Sequence, residues 1–568
     1  MGKPRILIIG GVAGGASCAA RARRLSEDAE IIIFDRGQFV SFANCGLPYY
    51  VGDVIVDEKK LLVANADLFQ NRFNIQVRLE HEVTNIDAAA QTIQVKNLQT
   101  GEILTEPYDA LVLSPGSAPI RPPLPGLDLP GIFALRTIPD SRRIREWIEV
   151  HRVKRAVVVG GGFIGMEMSE NLIHRGIEVT LLEKLPQVMP PFDAEMMTSV
   201  HGHLKEKGVT LCLGNGVKGF VSDGEDGLIV QTELGDDYPA DLVILAIGVR
   251  PETALAKQAG LALGDRGGIR VNAQMQTSDP HIWAVGDAVE VQDFVTKEWT
   301  LIPLAGPANR QGRTAADAIM GRDTEFRGVQ GTSVCGIFDM TVACTGASEK
   351  TLKRAGIPYD KVYLHPGHHV GYFPGAHPID IKLLFSPDDG RILGAQAVGY
   401  EGTEKRMDVM AIALQAGLTV FDLETAELCY APQFGAAKDP VNFAGMIAAN
   451  ALRGDAPVVY WENLPEEQVP EEQIMLLDVR DPNEFEAGHV AGSVNIPLSE
   501  LRDRRSELPQ QQAIWVYCQV GQRAYYATRA LRQFGYNAYN LTGGYKTQQA
   551  MEHALDPTHT LHPEHPRP

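Results

Sequence analysis

Two stretches of the chain repeat one design, and that repetition limits the available folds more than any other feature. Arg5–Gly15 reads RILIIGGVAGG and Arg155–Gly165 reads RAVVVGGGFIG. Each is a β-branched apolar run, then a glycine turn, then a segment of helical character. Each goes on to a second buried strand that ends in an acid, IIIFD at Ile31–Asp35 and VTLLE at Val179–Glu183. A unit of this kind leaves bare backbone amides at a helix N-terminus, where a pyrophosphate can approach because no side chain blocks it. Gly160, Gly162 and Gly165 fill G-x-G-x-x-G completely, whereas the first turn keeps Gly10 and Gly15 and has Val12 in the middle. A lone glycine fingerprint marks many tight loops. Two of them, each with its strand-terminal acid, point to an α/β chain that holds two dinucleotides.

Length and charge narrow the field further. At about 150 residues per domain, 568 residues predict three to four domains. Lys and Arg number 52 against 71 Asp and Glu, a net charge of −19. Such an acidic chain is a poor general ligand for nucleic acid or an anionic membrane. No apolar run approaches the roughly 18 residues of a spanning helix. The N-terminal residues run straight into a strand and glycine turn, so no signal peptide is expected. The seven cysteines are scattered and contain no Cys-x-x-Cys. This argues against a disulfide framework or a zinc ribbon and for reduced thiols in the cytoplasm, with no metal expected. Cysteine chemistry in such a chain falls to single residues.

Leu111–Gly116 (LVLSPG) and Leu242–Gly248 (LVILAIG) are further buried strands that run into glycine turns, and Thr277–Ala288 (TSDPHIWAVGDA) follows the second. This last segment resembles the flavin-proximal motif of the two-dinucleotide-binding flavoprotein reductases. The resemblance implies that the first turn binds FAD and the second a nicotinamide dinucleotide. Asp287, beside Gly286, would hold the FAD ribitol chain, and Asp35 the adenosine ribose. Gly10, Ala13, Gly14, Gly15, Arg36, Val83, Ser114 and Gly116 would complete that site. Gly160, Gly162, Ile164, Gly165 and Glu183 would take the second dinucleotide. Glu183 repels a 2′-phosphate and so favours NADH over NADPH, while Lys184 beside it works the other way.

Ser41–Tyr50 reads SFANCGLPYY, with one cysteine on a short segment after the first unit. Cys45 has no partner at position 50, where glutathione-type reductases carry a second cysteine. Its oxidised form must be a mixed disulfide with a small thiol, a sulfenic acid or a persulfide. The segment resembles the coenzyme A-disulfide reductases and the NADH-dependent persulfide and polysulfide reductases. The resemblance implies that coenzyme A is the thiol partner. Arg21 and Arg24, on one face of the first helix with Ser17, would take the 3′-phospho-ADP. Ser41 and Asn44 would contact the pantetheine, and Lys438 matches a further coenzyme A contact. Tyr372 (GYFPG) and Tyr430 (CYAPQF) match tyrosines that the family contributes to the disulfide site across a homodimer. Phe73 stands where the shorter reductases have lysine, and Asn309 where they have histidine.

Leu476–Pro497 (LLDVRDPNEFEAGHVAGSVNIP) and Val516–Ala524 (VYCQVGQRA) resemble the rhodanese family over nearly all of Tyr460–Leu555. Cys518 opens a six-residue loop, closed by Arg523, whose amides and following helix would stabilise a thiolate or a persulfide. The resemblance implies that Asp478, Arg480, Glu484 and His489 mostly brace the fold.

The expected architecture is therefore α/β, with two Rossmann-like domains, an α+β dimerisation domain and a rhodanese domain. The boundaries are 1–150 with 276–327 for FAD, 151–275 for NADH, 328–453 for dimerisation, 454–473 for a linker and 474–556 for the rhodanese domain, with a disordered tail at 557–568. The expected activity is NADH-dependent, FAD-mediated reduction of coenzyme A persulfide, polysulfide or coenzyme A disulfide at Cys45, with the rhodanese domain delivering or accepting sulfur. Two rivals stand beside it: an NADH oxidase or peroxidase cycling Cys45 through sulfenic acid, and a redox sensor that does not turn over.

Overall fold

The computed structural model describes residues 3–224, 227–464 and 474–555. The tail expected at 557–568 and residues 465–473 of the expected linker lie outside these residues. The chain divides into two compact units, residues 1–184 with 215–329 and residues 185–214 with 330–568.

The first unit holds both glycine turns. Strands Ile282–Ala284, Ala110–Leu113, Arg5–Ile9, Glu30–Asp35 and Gln76–Leu79 lie side by side in that order, all parallel. Ile6, Leu7, Ile8, Ile31, Ile32 and Ile33 are buried on both faces, the pattern required of a parallel sheet covered above and below. The second turn has its own parallel run, Glu178–Leu182, Arg155–Val159, Leu242–Leu245 and Ile132–Phe133. Because Ile132–Phe133 forms the edge of this run, the second nucleotide half begins before the boundary expected at residue 151. Helices Ala13–Leu25 and Phe163–His174 follow the two turns.

The second unit contains an antiparallel five-stranded sheet in the order Ser333–Ile337, Met340–Gly346, Ile392–Gly399, Ile379–Phe385 and Asp360–Leu364. It also contains a parallel sheet in the order Val458–Val459, Asn537–Leu541, Ala513–Tyr517, Ile474–Asp478 and Val494–Asn495. The latter is the small α/β module expected at the C-terminal end. One departure from the sequence boundaries has a clear cause. Helix Ala194–Glu206 was expected inside the NADH domain, but it groups with this second unit. Asp193 and Glu195, at its start, pair with the fully buried Lys382 of strand Ile379–Phe385, which also meets Glu349. A buried ammonium costs free energy unless carboxylates surround it, so this cluster ties the helix to the antiparallel sheet.

Candidate functional site

The first unit builds a double nucleotide cradle. Helix Ala13–Leu25 starts after Val12 with no side-chain cap and no acid in its first turn, and helix Phe163–His174 starts after Gly162 in the same way. Both N-termini thus offer amides and a positive dipole end to an anion. A Cβ on Gly15 would lie 1.9 Å from the Gly10 carbonyl oxygen, and one on Gly165 equally close to that of Gly160. These glycines let each helix pack against its strand. A Cβ on Gly162 would meet nothing within 4 Å, so the space beside the second N-terminus is open. The residues present fit a pyrophosphate at both turns.

The surrounding residues are held by the backbone. The Gly11 amide donates to Asp35 at 2.9 Å and the Gly37 amide donates to its other oxygen at 2.8 Å. The Gly161 amide donates to Glu183 at 2.6 Å. Each acid is therefore oriented at the tip of its strand, and each oxygen keeps lone-pair capacity for a ribose hydroxyl. Lys184 is turned to Glu233, 2.8 Å away on the surface. Arg36 is engaged by Glu252 at 2.7 Å. The Gly15 amide donates to the Ser114 hydroxyl, and Gly116 and Gly286 adopt left-handed backbone angles. Val83 lies in an antiparallel strand with its side chain in the core. Ala13, Gly14 and Ile164 sit in the first turns of the two helices.

Cys45 is exposed on the three-residue helical turn Asn44–Gly46. Helix Leu47–Val51 follows it, and at Gly52 a Cβ would lie 2.1 Å from the Asn171 amide oxygen of helix Phe163–His174. That close approach brings Glu167 toward the thiol. Partial burial of the sulfur pushes the Cys45 pKa up, Glu167 and Asp287 push it further, and Arg136 opposes them. Cys45 therefore feels an acid from each nucleotide half. Burial and the nearby Glu170 push Glu167 itself up to about 7, against a hydrogen bond from Tyr49. Asp287 accepts from the Ser117 hydroxyl at 3.0 Å and faces Arg136 at 3.5 Å. Asn44 also lies against Arg136. Ser41 has φ +48°, and its amide donates to the Gly11 carbonyl. Glu167 and Arg136 have no sequence signal of their own: Glu167 reaches the site on helix Phe163–His174, and Arg136 from the segment just before helix Ile138–Val150.

The face expected to bind the coenzyme A phosphates differs in detail. Helix Ala13–Leu25 packs along helix Ala305–Ile319, which brings Ser17 onto Asn309 through a hydroxyl–amide hydrogen bond. The same packing gives Arg21 to Asp317 at 2.7 Å. Arg21 is thus already neutralised, and only Arg24 of the pair is exposed.

Tyr372, Tyr430, Lys438 and Cys518 belong to the second unit. The Tyr372 and Tyr430 hydroxyls, 58 positions apart in the chain, lie 2.8 Å from each other, and both rings are exposed. Cys518 is fully buried at the end of strand Ala513–Tyr517. The Gly521 amide donates to its sulfur at 3.2 Å. Arg523 is held in a two-point pair with Glu484 at 2.6 and 2.7 Å. Arg480 and Asp478 form a buried pair, and Arg480 also donates to the Gln519 side chain. His489 stacks on Phe485 and bonds its carbonyl. Asp478, Arg480 and His489 brace the loop and its surroundings. A cavity of about 640 Å³ is lined by Val520, Gly521 and Gln522 of the loop, by Phe443 and Met446, and by Lys438.

Comparison with known proteins places these features in a family. Residues 4–312 match the model for pyridine nucleotide-disulphide oxidoreductases, residues 332–439 that family's dimerisation domain, and residues 461–550 the rhodanese-like domain. The coenzyme A disulfide reductase of Staphylococcus haemolyticus is 34% identical over 442 residues, covering 78% of this chain and 98% of that protein. The crystal structure of reduced CoADR-RHD from Bacillus anthracis is 50% identical, with a TM-score of 0.94 over 97% of this chain and 98% of that one. A NAD-dependent persulfide reductase from A. fulgidus is 35% identical, with a TM-score of 0.87 over 96% and 99%. The chain belongs to the pyridine nucleotide-disulphide oxidoreductase family, as an enzyme of the coenzyme A-disulfide and persulfide reductase type that carries a C-terminal rhodanese domain.

Proposed function

We propose that the protein uses NADH to reduce coenzyme A persulfide, polysulfide and coenzyme A disulfide at Cys45, and that Cys518 collects sulfane sulfur for that reaction. The observation that carries this is the setting of Cys45, within electrostatic reach of Glu167 from the second nucleotide half and Asp287 from the first. The Gly10–Gly15 turn, Asp35 and Asp287 would hold FAD, and the Gly160–Gly165 turn with Glu183 would hold NADH. The pairing of Lys184 with Glu233 leaves the acid to set the preference for NADH. FAD, when bound, carries two electrons from NADH to the cysteine.

The chain's own residues do the sulfur chemistry. The Cys45 thiolate attacks coenzyme A persulfide at its inner sulfur, forming a Cys45–coenzyme A disulfide and releasing hydrosulfide. Two electrons then return both sulfurs to thiols. Coenzyme A disulfide is cleaved the same way, with coenzyme A thiolate as the first leaving group. Arg136, beside Asp287 and Asn44, supplies the positive charge that favours the thiolate. The exposed Tyr372–Tyr430 pair offers hydroxyls to a leaving thiolate in the homodimer we propose. Lys438 and the Cys518 loop line one cavity, which supports a coenzyme A thiol reaching the rhodanese cysteine.

Stopped-flow absorbance of Cys45→Ser tests the assignment. The variant should keep bound FAD and its reduction by NADH, and should lose reduction of polysulfide and coenzyme A disulfide. Normal disulfide turnover in this variant would overturn it.

A further inference from the structure

The rhodanese loop is held from behind by the last helix of its own module, and that helix is held in turn by residues outside the module. Helix Gly544–Leu555 begins directly under the loop. Its Tyr545 amide donates to the Cys518 carbonyl at 2.8 Å, and its Lys546 amide donates to the Gln519 carbonyl at 3.0 Å. These two bonds fix the loop backbone whose Gly521 amide faces the sulfur. The same helix turn is held on its other side by the antiparallel sheet. Asp380 accepts from His365 Nδ1 at 2.6 Å, and His365 Nε2 lies 2.9 Å from the Thr547 hydroxyl. A carboxylate can only accept, so in the neutral ring the proton sits on Nδ1 and Nε2 accepts from Thr547. Lys546 adds an ion pair to Asp380, and Thr542 accepts from the Tyr363 amide at 2.9 Å.

Sterics make the connection stiff. Gly543 and Gly544 have φ of +75° and +65°. A Cβ on Gly543 would lie 2.0 Å from the Thr547 hydroxyl oxygen, and a Cβ on Gly544 would lie 2.4 Å from the Cys518 carbonyl oxygen. The turn is thus packed between the Thr547 hydroxyl on one side and the loop on the other, with no slack for either to move alone.

We propose that Asp380, His365 and Thr547 form a positioning chain, through which the dimerisation domain sets the geometry of the Cys518 loop. None of the three touches the sulfur. They act through the helix N-terminus, so loss of the chain loosens the loop amides without removing any residue of the loop. The inference rests on the proposed sulfur chemistry of Cys518, and the test separates the two.

The test uses the full-length, flavin-loaded protein and thiosulfate as the sulfane probe. One sulfur passes from thiosulfate to the Cys518 thiolate with release of sulfite, and mass spectrometry of the Cys518 peptide follows it. Thr547→Val keeps the side-chain shape and removes the hydroxyl. It should load sulfur about tenfold more slowly, in line with loss of one buried hydrogen bond in a connected network. Thr547→Ser should restore the rate, and Asp380→Asn should slow it again. All three should keep the flavin content and the coenzyme A disulfide turnover of the wild type. Hydrogen exchange of the 518–523 amides should quicken in Thr547→Val and not in Thr547→Ser. Equal loading and equal exchange in Thr547→Val and wild type would overturn the positioning chain alone. A wild type that takes no sulfur on Cys518 would overturn the sulfur-transfer function, and with it the need to position the loop.

Discussion

Cys45 sits exposed on a three-residue helical turn among side chains, whereas Cys518 is fully buried in a loop that meets it with a backbone amide. Around Cys45 the nearest influences are two carboxylates and one guanidinium, and the thiol is pushed up. Around Cys518 the charged residues pair among themselves, Arg523 with Glu484 and Arg480 with Asp478, while Arg523, at the end of the loop, also feels the sulfur. On the function proposed above, the difference lets one chain keep two single cysteines in separate kinds of work. A cysteine that must take electrons and exchange thiols needs access and adjustable charge. A cysteine that must hold a terminal sulfur needs fixed dipoles.

The comparison can be broken most severely at Gly544. Its φ of +65° and the 2.4 Å approach to the Cys518 carbonyl leave no place for a methyl group. Gly544→Ala should lower thiosulfate loading of Cys518 by at least about a hundredfold, since a strained backbone and a steric overlap act together. Coenzyme A disulfide reduction at Cys45 should be unchanged, which paired assays on one preparation would show. A loss of both activities would mean that the sites are not separable.

Much of this arrangement is legible in the sequence, and the limits are physical. The glycine turns, their strand-terminal acids and the two cysteine segments are local patterns, because a helix N-terminus or a six-residue loop is encoded by neighbours. The contact between the Tyr372 and Tyr430 hydroxyls joins two segments far apart in the chain, so it could not be read from either segment alone. Arg21 shows where local reading stops: its spacing with Arg24 suggested an anion site, but Asp317, 296 residues away, claims it once two helices pack. Lys382 is a similar case, since only tertiary packing reveals that it recruits Asp193 and Glu195 at the start of helix Ala194–Glu206. Glu167 was missed for the same reason, because its effect on Cys45 crosses from one nucleotide half to the other.

Glu167 also sharpens the comparison, with a smaller effect. Its carboxyl is pushed up to about 7, so it is neutral below that pH and charged above it. Only the charged form raises the Cys45 pKa. In the holoenzyme, Glu167→Gln and wild type should therefore react equally with iodoacetamide at Cys45 below pH 7. Above pH 7 the variant should react about two- to threefold faster, the size expected of a like charge acting through a partly hydrated site. The Cys518 peptide should show no such difference. A constant ratio across pH would remove Glu167 from the account.

The division of work between the two cysteines is tested most directly by NADH consumption of wild type and Cys518→Ser at matched flavin content. Each protein is given coenzyme A persulfide or coenzyme A disulfide in one series and a protein-bound persulfide in the other. The account predicts equal rates with the coenzyme A substrates and a rate at least about tenfold lower for Cys518→Ser with the protein-bound sulfur, because a second site on the same chain raises the local concentration of captured sulfur. Equal rates with both classes would contradict it, since Cys518 would then feed nothing to Cys45.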